Sequence, residues 1–165
     1  MIFRYVLTQG LFYNIIVIGY LVTIMISLSP RIWGYSDYSN EIKAKVPPQT
    51  SQEKMWSVLI GAPWTIFVVG FPIFSTYLLK VKLGGEISYW NLFLNVFVMT
   101  FVFNLFDLIV LDWLIISRIT PKFVIIPGTE VADYKDFSHH YKAQGIAAVV
   151  ILVLCFIIAF FVWYF

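Results

Sequence analysis

Two carboxylates stand inside the third apolar segment of this 165-residue chain, which runs from about Tyr89 to Arg118. They are Asp107 and Asp112, and the amide Asn104 comes one helical turn before the first of them. A charged Asp near the middle of a membrane-spanning helix costs about 2.5–3.5 kcal/mol on insertion scales, so it normally faces protein or water and has a partner. These three residues form the candidate intramembrane polar site.

The polar residues of the third segment do not fall on one side of an α-helix. At 100° per residue, Asp107 lies about 60° from Asn104 and Asp112 lies about 80° from it, while Asn91 and Asn95 lie on nearly the opposite side. Polar groups on more than one side predict that this helix is surrounded by protein and is the central one. The fourth apolar segment has no strongly polar side chain from Ile146 to Val162, so we expect it to face lipid over much of its surface.

Partners for the two acids are expected at the end of the bundle where the long loops lie. The candidates there are Arg31, Arg118, His139, His140 and Lys142. Adjacent histidines point about 100° apart on a helix and rarely bind one ion together. With no third histidine in the chain and no cysteine nearby, we predict no metal site and no cofactor, and no residue is assigned a catalytic role.

The composition indicates a membrane protein. Hydrophobic residues make up 61% of the chain and charged residues 12%, against about 25% charged in soluble domains. A bilayer core of ~30 Å requires about 20 apolar residues per helix, and windows at about 9–29, 56–79, 88–117 and 143–165 meet that length. The sequence therefore predicts an all-α, four-transmembrane-helix bundle, residues 1–165 forming one transmembrane domain with two ~26-residue loops on one face.

The basic residues predict the orientation. Eight of the 11 lysines and arginines lie in or beside the two long loops, and three lie on the opposite face. Basic residues near helix ends are retained inside the cell, so we predict a multi-pass plasma-membrane protein with cytoplasmic long loops and exoplasmic termini. The net charge of +2 is scattered, which predicts contact with the lipid bilayer and not with nucleic acid.

Two local signals concern the second apolar segment. Thr50 and Glu53 have the spacing of a capping box, which predicts a helix start before the membrane surface. Pro63 and Pro72 lie within that helix, and each leaves the carbonyl four residues earlier without its usual donor. Such a carbonyl either permits a bend that improves packing or serves a hinge or ligand site.

Several short segments resemble those of uncharacterised four-span integral membrane proteins from prokaryotes. They are Pro30-Arg31-Ile32-Trp33, Ala44-Lys45-Val46-Pro47-Pro48, Asn104-Leu105-Phe106-Asp107-Leu108, Leu111-Asp112-Trp113 and Pro127-Gly128-Thr129-Glu130. The resemblance implies a prokaryotic cytoplasmic membrane and four spans, and it brings no assigned activity. Small multidrug exporters have a similar number of spans, but their carboxylate is in the first helix, where this chain has Asn14 and no acid.

Three functional hypotheses follow from these residues. The leading one is a non-enzymatic accessory or structural helix bundle that self-associates, as a homo-oligomer, or binds a membrane-protein partner. The second is a small transporter or proton-coupled permease subunit in which Asp107 and Asp112 titrate and Asn104 is a neutral ligand.

The third hypothesis is a membrane enzyme acting on lipid or isoprenoid at the long-loop interface. In it Asp112, His139 and His140 serve as acid or base, and Arg31 or Arg118 holds phosphate. The chain has no P-loop, dinucleotide-binding glycine pattern, zinc-protease motif or serine-hydrolase elbow, so no common enzyme class is indicated.

Overall fold

The computed structural model describes residues 2–165, which contain helices and loops and no strand. In chain order they are α1 (Ile2–Ser27), α2 (Pro30–Trp33), α3 (Asn40–Ala44), α4 (Ser51–Lys82), α5 (Tyr89–Phe106), a π-helix (Asp107–Ile119) that continues α5, two 3-10 turns (Lys122–Val124 and Val131–Tyr134) and α6 (Ser138–Tyr164). Four of these segments are long and apolar enough to cross a membrane: α1, α4, α5 with the π-helix, and α6. The predicted all-α fold with four spanning helices is confirmed.

Each spanning helix extends past at least one end of the apolar window that predicted it. The capping box shows why α4 begins early: the Glu53 backbone N–H donates to Thr50 Oγ1 at 3.2 Å, and the Thr50 N–H donates to Glu53 Oε2 at 2.7 Å. At its other end α4 stops where Gly84 and Gly85 adopt φ of 65° and 86°, a left-handed conformation that glycine tolerates and that reverses the chain into α5. The loops 28–50 and 120–137 are consequently shorter than expected.

The outer faces of α4 and α6 carry large apolar side chains. Ile66 on α4 is 72% exposed and Ile146 on α6 is 69% exposed, and many neighbours resemble them. A contiguous apolar surface of this extent is stable only against lipid or another protein. Together with the four helices that are long enough to cross a membrane, this surface identifies a multi-pass membrane protein.

The third spanning helix lies at the centre of the bundle, as its distribution of polar residues predicts. α5 packs on α1, α4 and α6, and Asn95, Met99 and Phe103 are among its buried residues. Amide groups connect it to its neighbours: Asn95 Nδ2 donates to Thr76 Oγ1 on α4 at 3.0 Å, and Asn14 Nδ2 on α1 donates to the Met99 carbonyl at 3.3 Å.

Pro72 affects the packing of α1 on α4. Because proline has no N–H, the Val68 carbonyl lacks its helical donor, and the Tyr13 hydroxyl on α1 donates to that carbonyl at 3.2 Å. Tyr13 is fully buried. The Val68 carbonyl, which has no helical donor, thus accepts a hydrogen bond that joins α1 to α4.

The two long loops fold together over one end of the bundle, and we call this region the cap. Its centre is an edge-to-face pair of Tyr38 and Tyr134, with ring centroids 5.4 Å apart. The Tyr38 hydroxyl donates to the Val124 carbonyl at 2.8 Å, and the Ile126 N–H donates to the Tyr134 hydroxyl oxygen at 2.8 Å. The apolar piece of the second loop is therefore buried in the cap, where Val124 and Ile126 are fully covered.

Candidate intramembrane polar site

The π-helix brings the two predicted carboxylates to one side of the third spanning segment. In an α-helix at 100° per residue, Asp107 and Asp112 would lie about 140° apart. From Asp107 to Ile119 the chain is a π-helix, in which hydrogen bonds join residues five apart. The Thr120 N–H, for example, donates to the Ile115 carbonyl at 2.8 Å. The positions that an α-helix predicts for Asp107 and Asp112, on different sides of the segment, are therefore wrong. Both side chains face α6.

Gln144 on α6 is the residue that joins the site. Its side-chain oxygen accepts a hydrogen bond from Asn104 Nδ2 at 2.6 Å. Its side-chain nitrogen donates to Asp107 Oδ2 through a very short contact and reaches Asp112 Oδ2 at 3.3 Å. One amide therefore contacts all three residues of the predicted polar site.

His140 is the second partner from α6. Its Nδ1 lies 3.0 Å from Asp112 Oδ1, and the two side chains are only 10% and 12% exposed. His140 and Gln144 are four residues apart, so they occupy the same face of α6. Of the five predicted partners, His140 is the one that contacts a carboxylate of the site.

The other predicted partners lie elsewhere. Arg31 pairs with Glu53, the Arg118 guanidinium lies 5.6 Å from the centre of the Trp113 ring, and Lys142 is exposed on α6. Within residues 2–165, neither Asp107 nor Asp112 forms a salt bridge with lysine or arginine.

His139 lies at the mouth of the site, where the cap meets α6. Its Nε2 is 3.1 Å from the backbone carbonyl oxygen of Asp37. The Asp37 carboxylate accepts a hydrogen bond from the Ser36 hydroxyl at 3.1 Å, and the side chains of Asp37 and His139 are both exposed. The ring centroids of His139 and His140 are 5.8 Å apart, and both residues line one cavity that joins the mouth to the buried site.

A cavity of about 580 Å³ extends from this mouth into the bundle. Its wall includes Asp37, Asp107, Asp112 and both histidines, and no lysine or arginine lines it. On α6 the lining runs from His139 to Ile158, a span of about 28 Å at ~1.5 Å per residue. The polar site thus forms the end nearest the cap of a long, mostly apolar chamber.

Two members of this site are absent from the sequence-based prediction. Gln144 was not identified because the fourth span was expected to face lipid, although its position four residues after His140 indicates a shared helical face. Asp37 lies in a loop, and no periodic pattern relates it to the helices. Its place at the mouth depends on burial of the adjacent Tyr38 in the cap.

The chemistry available here is acid–base chemistry and cation binding. No set of three His, Cys, Asp or Glu side chains in the part of the chain that the structure describes is arranged to hold a metal ion.

Comparisons of the chain with protein-family models, with curated proteins and with solved structures give no match.

Proposed function

We propose that this chain is a small proton-coupled transporter or permease subunit, with Asp107 and Asp112 as the groups that exchange protons. The observation that carries the proposal is the partner set of the two carboxylates, which consists of an amide and an imidazole beside a cavity. Without a fixed positive charge, protons or a transported cation must balance the charge of the two acids.

The proposed proton route begins at the mouth. His139 is exposed there and is adjacent to His140, whose Nδ1 is within hydrogen-bond distance of Asp112. Histidine is the side chain whose ordinary protonation equilibrium is nearest neutral pH. A proton arriving at His140 can therefore pass to Asp112, and the Gln144 amide that contacts both acids links the charge of Asp112 to that of Asp107.

A purely structural role accounts for less of this geometry. Buried charges that only fix helix register are normally paired and enclosed by side chains. Asp107 instead lines a cavity and has an amide donor. The accessory-bundle hypothesis explains the packing of α5 but gives no reason for a chamber of about 580 Å³ next to two acids.

The membrane-enzyme hypothesis is also less well supported. It requires an arginine near the histidine pair to bind phosphate, whereas Arg31 is held by Glu53 and Arg118 lies over Trp113. Neither arginine is therefore placed to bind phosphate beside the acids and histidines.

We also propose that the protein lies in the plasma membrane with the cap in the cytoplasm. The basic residues of the long loops support this orientation. A membrane-impermeant maleimide applied to intact cells should label Glu86→Cys in the short exoplasmic turn and leave Glu41→Cys in the cap unlabelled. The opposite labelling pattern would reverse the orientation.

Proton movement tests the transport proposal. The purified full chain is reconstituted in liposomes that contain a pH-sensitive dye, and a potassium diffusion potential drives cations inward. We expect internal acidification faster than in protein-free liposomes, and we expect Asp107→Asn to abolish it because the exchangeable carboxyl group is lost.

The matched control removes an acid that is remote from the cavity. Glu86 is exposed in the turn between α4 and α5, so Glu86→Gln should retain the full proton flux. The proposal is wrong if the wild-type chain moves no more protons than empty liposomes, or if Asp107→Asn moves as many as the wild type.

A further inference from the structure

We infer that the cavity binds a hydrophobic organic cation, with its charged group beside the carboxylates of Asp107 and Asp112 and its apolar part in the chamber beyond Gln144. This inference rests on the proposed transport function and names the class of its substrate. It is carried by three features of the cavity wall: its charge, its aromatic lining and its size.

The charge of the wall selects the sign of the ligand. The chain has nine acidic residues and 11 lysines and arginines, yet three of the acids and none of the lysines or arginines line the cavity. Lys43 Nζ donates to the Ser36 carbonyl at 2.6 Å, and Lys43 is not among the lining residues. A chain with an overall positive charge therefore encloses a chamber whose fixed charges are negative, which attracts cations and repels anions.

The rest of the wall indicates that the cation is an organic one. Aromatic rings of Tyr13, Trp64 and Phe103 line the chamber, with aliphatic side chains such as Leu154 and Ile158 further along α6. Ring faces attract cations that carry apolar substituents. A hydrated inorganic ion would lose its water ligands against such a wall, and the surrounding residues supply no metal-binding set.

Phe103 and Trp64 place this aromatic surface next to the acids. Phe103 precedes Asp107 by one helical turn, and its ring packs edge-to-face on Trp64 at 5.8 Å between centroids. Trp64 Nε1 is buried without a hydrogen-bond partner, although buried tryptophan N–H groups usually have one. Because this nitrogen is covered, Trp64 contributes its ring and not its N–H to the chamber wall.

The size of the cavity fits the same class. Its volume of about 580 Å³ is within the roughly 300–1,000 Å³ typical of sites for drug-sized ligands. A route for protons alone requires only a chain of polar groups or waters. The space that extends past Gln144 toward Ile158 therefore corresponds to a molecule with an extended apolar part.

Two ions of matched shape and opposite charge test the inference. Tetraphenylphosphonium and tetraphenylborate have the same arrangement of four phenyl rings. Isothermal titration calorimetry on the full chain in detergent micelles should show saturable binding of the phosphonium, and the heat measured with the Asp107→Asn/Asp112→Asn double variant serves as the blank for partition into micelles.

We expect tetraphenylphosphonium to bind about tenfold or more weakly to Asp107→Asn, since a charged contact is lost. Asp112→Asn should give a similar loss, and Glu86→Gln should bind like the wild type. Elution of each variant at the wild-type volume in gel filtration verifies folding. Saturable binding of tetraphenylborate, or phosphonium binding equal in wild type and double variant, overturns the inference.

Calorimetry and proton flux can fail independently. If Asp107-dependent proton flux is present and tetraphenylphosphonium does not bind, the substrate class is wrong and the transport proposal stands. If the phosphonium binds through Asp107 and Asp112 but no flux is detected, the cation site stands and the transport proposal is wrong.

Discussion

Two carboxylate sites of this protein differ in how their charge is balanced. Glu53, at the start of α4, faces the Arg31 guanidinium, with Nε 2.5 Å from Oε1 and Nη2 2.9 Å from Oε2. Asp107, on the central helix, faces the uncharged amide of Gln144. The first acid has a permanent counter-charge and the second has none.

The Arg31–Glu53 pair is reinforced by further hydrogen bonds. Two more guanidinium N–H groups donate to the carbonyls of Pro47 and Pro48 at 3.1 and 3.0 Å. The hydrogen bonds that Arg31 donates to the Glu53 carboxylate raise the pKa of Arg31 above its ordinary value. This pair ties the first long loop to the start of α4, so its role is to fix the cap.

The difference in counter-charge indicates that Glu53 has a structural role, whereas Asp107 is able to exchange protons or cations. A carboxylate bound by a guanidinium gains charge-assisted hydrogen bonds and has little reason to change protonation. A carboxylate bound by an amide, next to a second carboxylate, keeps a charge that a proton or a cation can balance. Removing a charge from the Arg31–Glu53 pair should therefore reduce stability more than proton flux. Removing the charge of Asp107 should reduce proton flux more than stability.

The largest loss of stability is expected for Arg31→Ala. It removes the counter-charge of Glu53 and four hydrogen bonds, and we expect about 2–4 kcal/mol less free energy of unfolding. SDS titration of the protein in mixed micelles measures this quantity. Lys54→Ala, on the exposed first turn of α4, is the control and should be near neutral. A loss as small as that of the control would show that the cap does not depend on this pair.

Gln144→Leu should have the next largest effect. The substitution leaves Asn104 without an acceptor and removes the amide donor of Asp107 and Asp112, with an expected cost of about 1–3 kcal/mol. The same unfolding titration applies, with the exposed Gln52→Leu as the matched exchange of amide for leucine. If Gln144→Leu is as stable as wild type, the amide does not hold the acids together.

A smaller effect is expected in the coupling between Asp112 and His140. A double-mutant cycle with Asp112→Asn and His140→Ala should give an interaction free energy of about 1 kcal/mol. A second cycle that pairs Asp112→Asn with His139→Ala should give less than about 0.5 kcal/mol, since His139 contacts the Asp37 carbonyl instead. Equal coupling in the two cycles would contradict the geometry of the site.

The smallest change in stability is expected for Asp107→Asn. The new amide oxygen can still accept from Gln144, so the free energy of unfolding should change by less than about 0.5 kcal/mol. Glu53→Gln makes the equivalent exchange in the balanced site and should lose about 1.5 kcal/mol. A large loss for Asp107→Asn would indicate that this acid is structural, and the contrast between the two sites would disappear.

The sequence predicts the bundle well because the free energy of membrane insertion depends mainly on composition and length. Four apolar windows correspond to α1, α4, α5 with the π-helix, and α6, and the capping box of Thr50 and Glu53 is confirmed. The helix ends extend further, since polar residues outside the hydrocarbon still form helix. Orientation in the membrane stays a prediction.

The candidate site was predictable only in part. Asn104, Asp107 and Asp112 stand out because acids and amides are costly in apolar segments, and His140 was among the expected partners. The π-helix was not predicted, because hydrophobic periodicity does not distinguish a short π segment from an α-helix. The pairing of Arg31 with Glu53 depends on the path of the loop through Pro47 and Pro48, which tertiary packing determines.

The π-helix also limits how the length of this segment can change. An α-helix that presents two side chains to one neighbour carries them three or four residues apart, whereas Asp107 and Asp112 are separated by five. The segment therefore contains one residue more than an α-helix needs for the same pairing. Deletion of Ile109 would allow an α-helix to present both acids to α6. An insertion would displace Asp112 from His140. This stretch should therefore tolerate shortening better than lengthening.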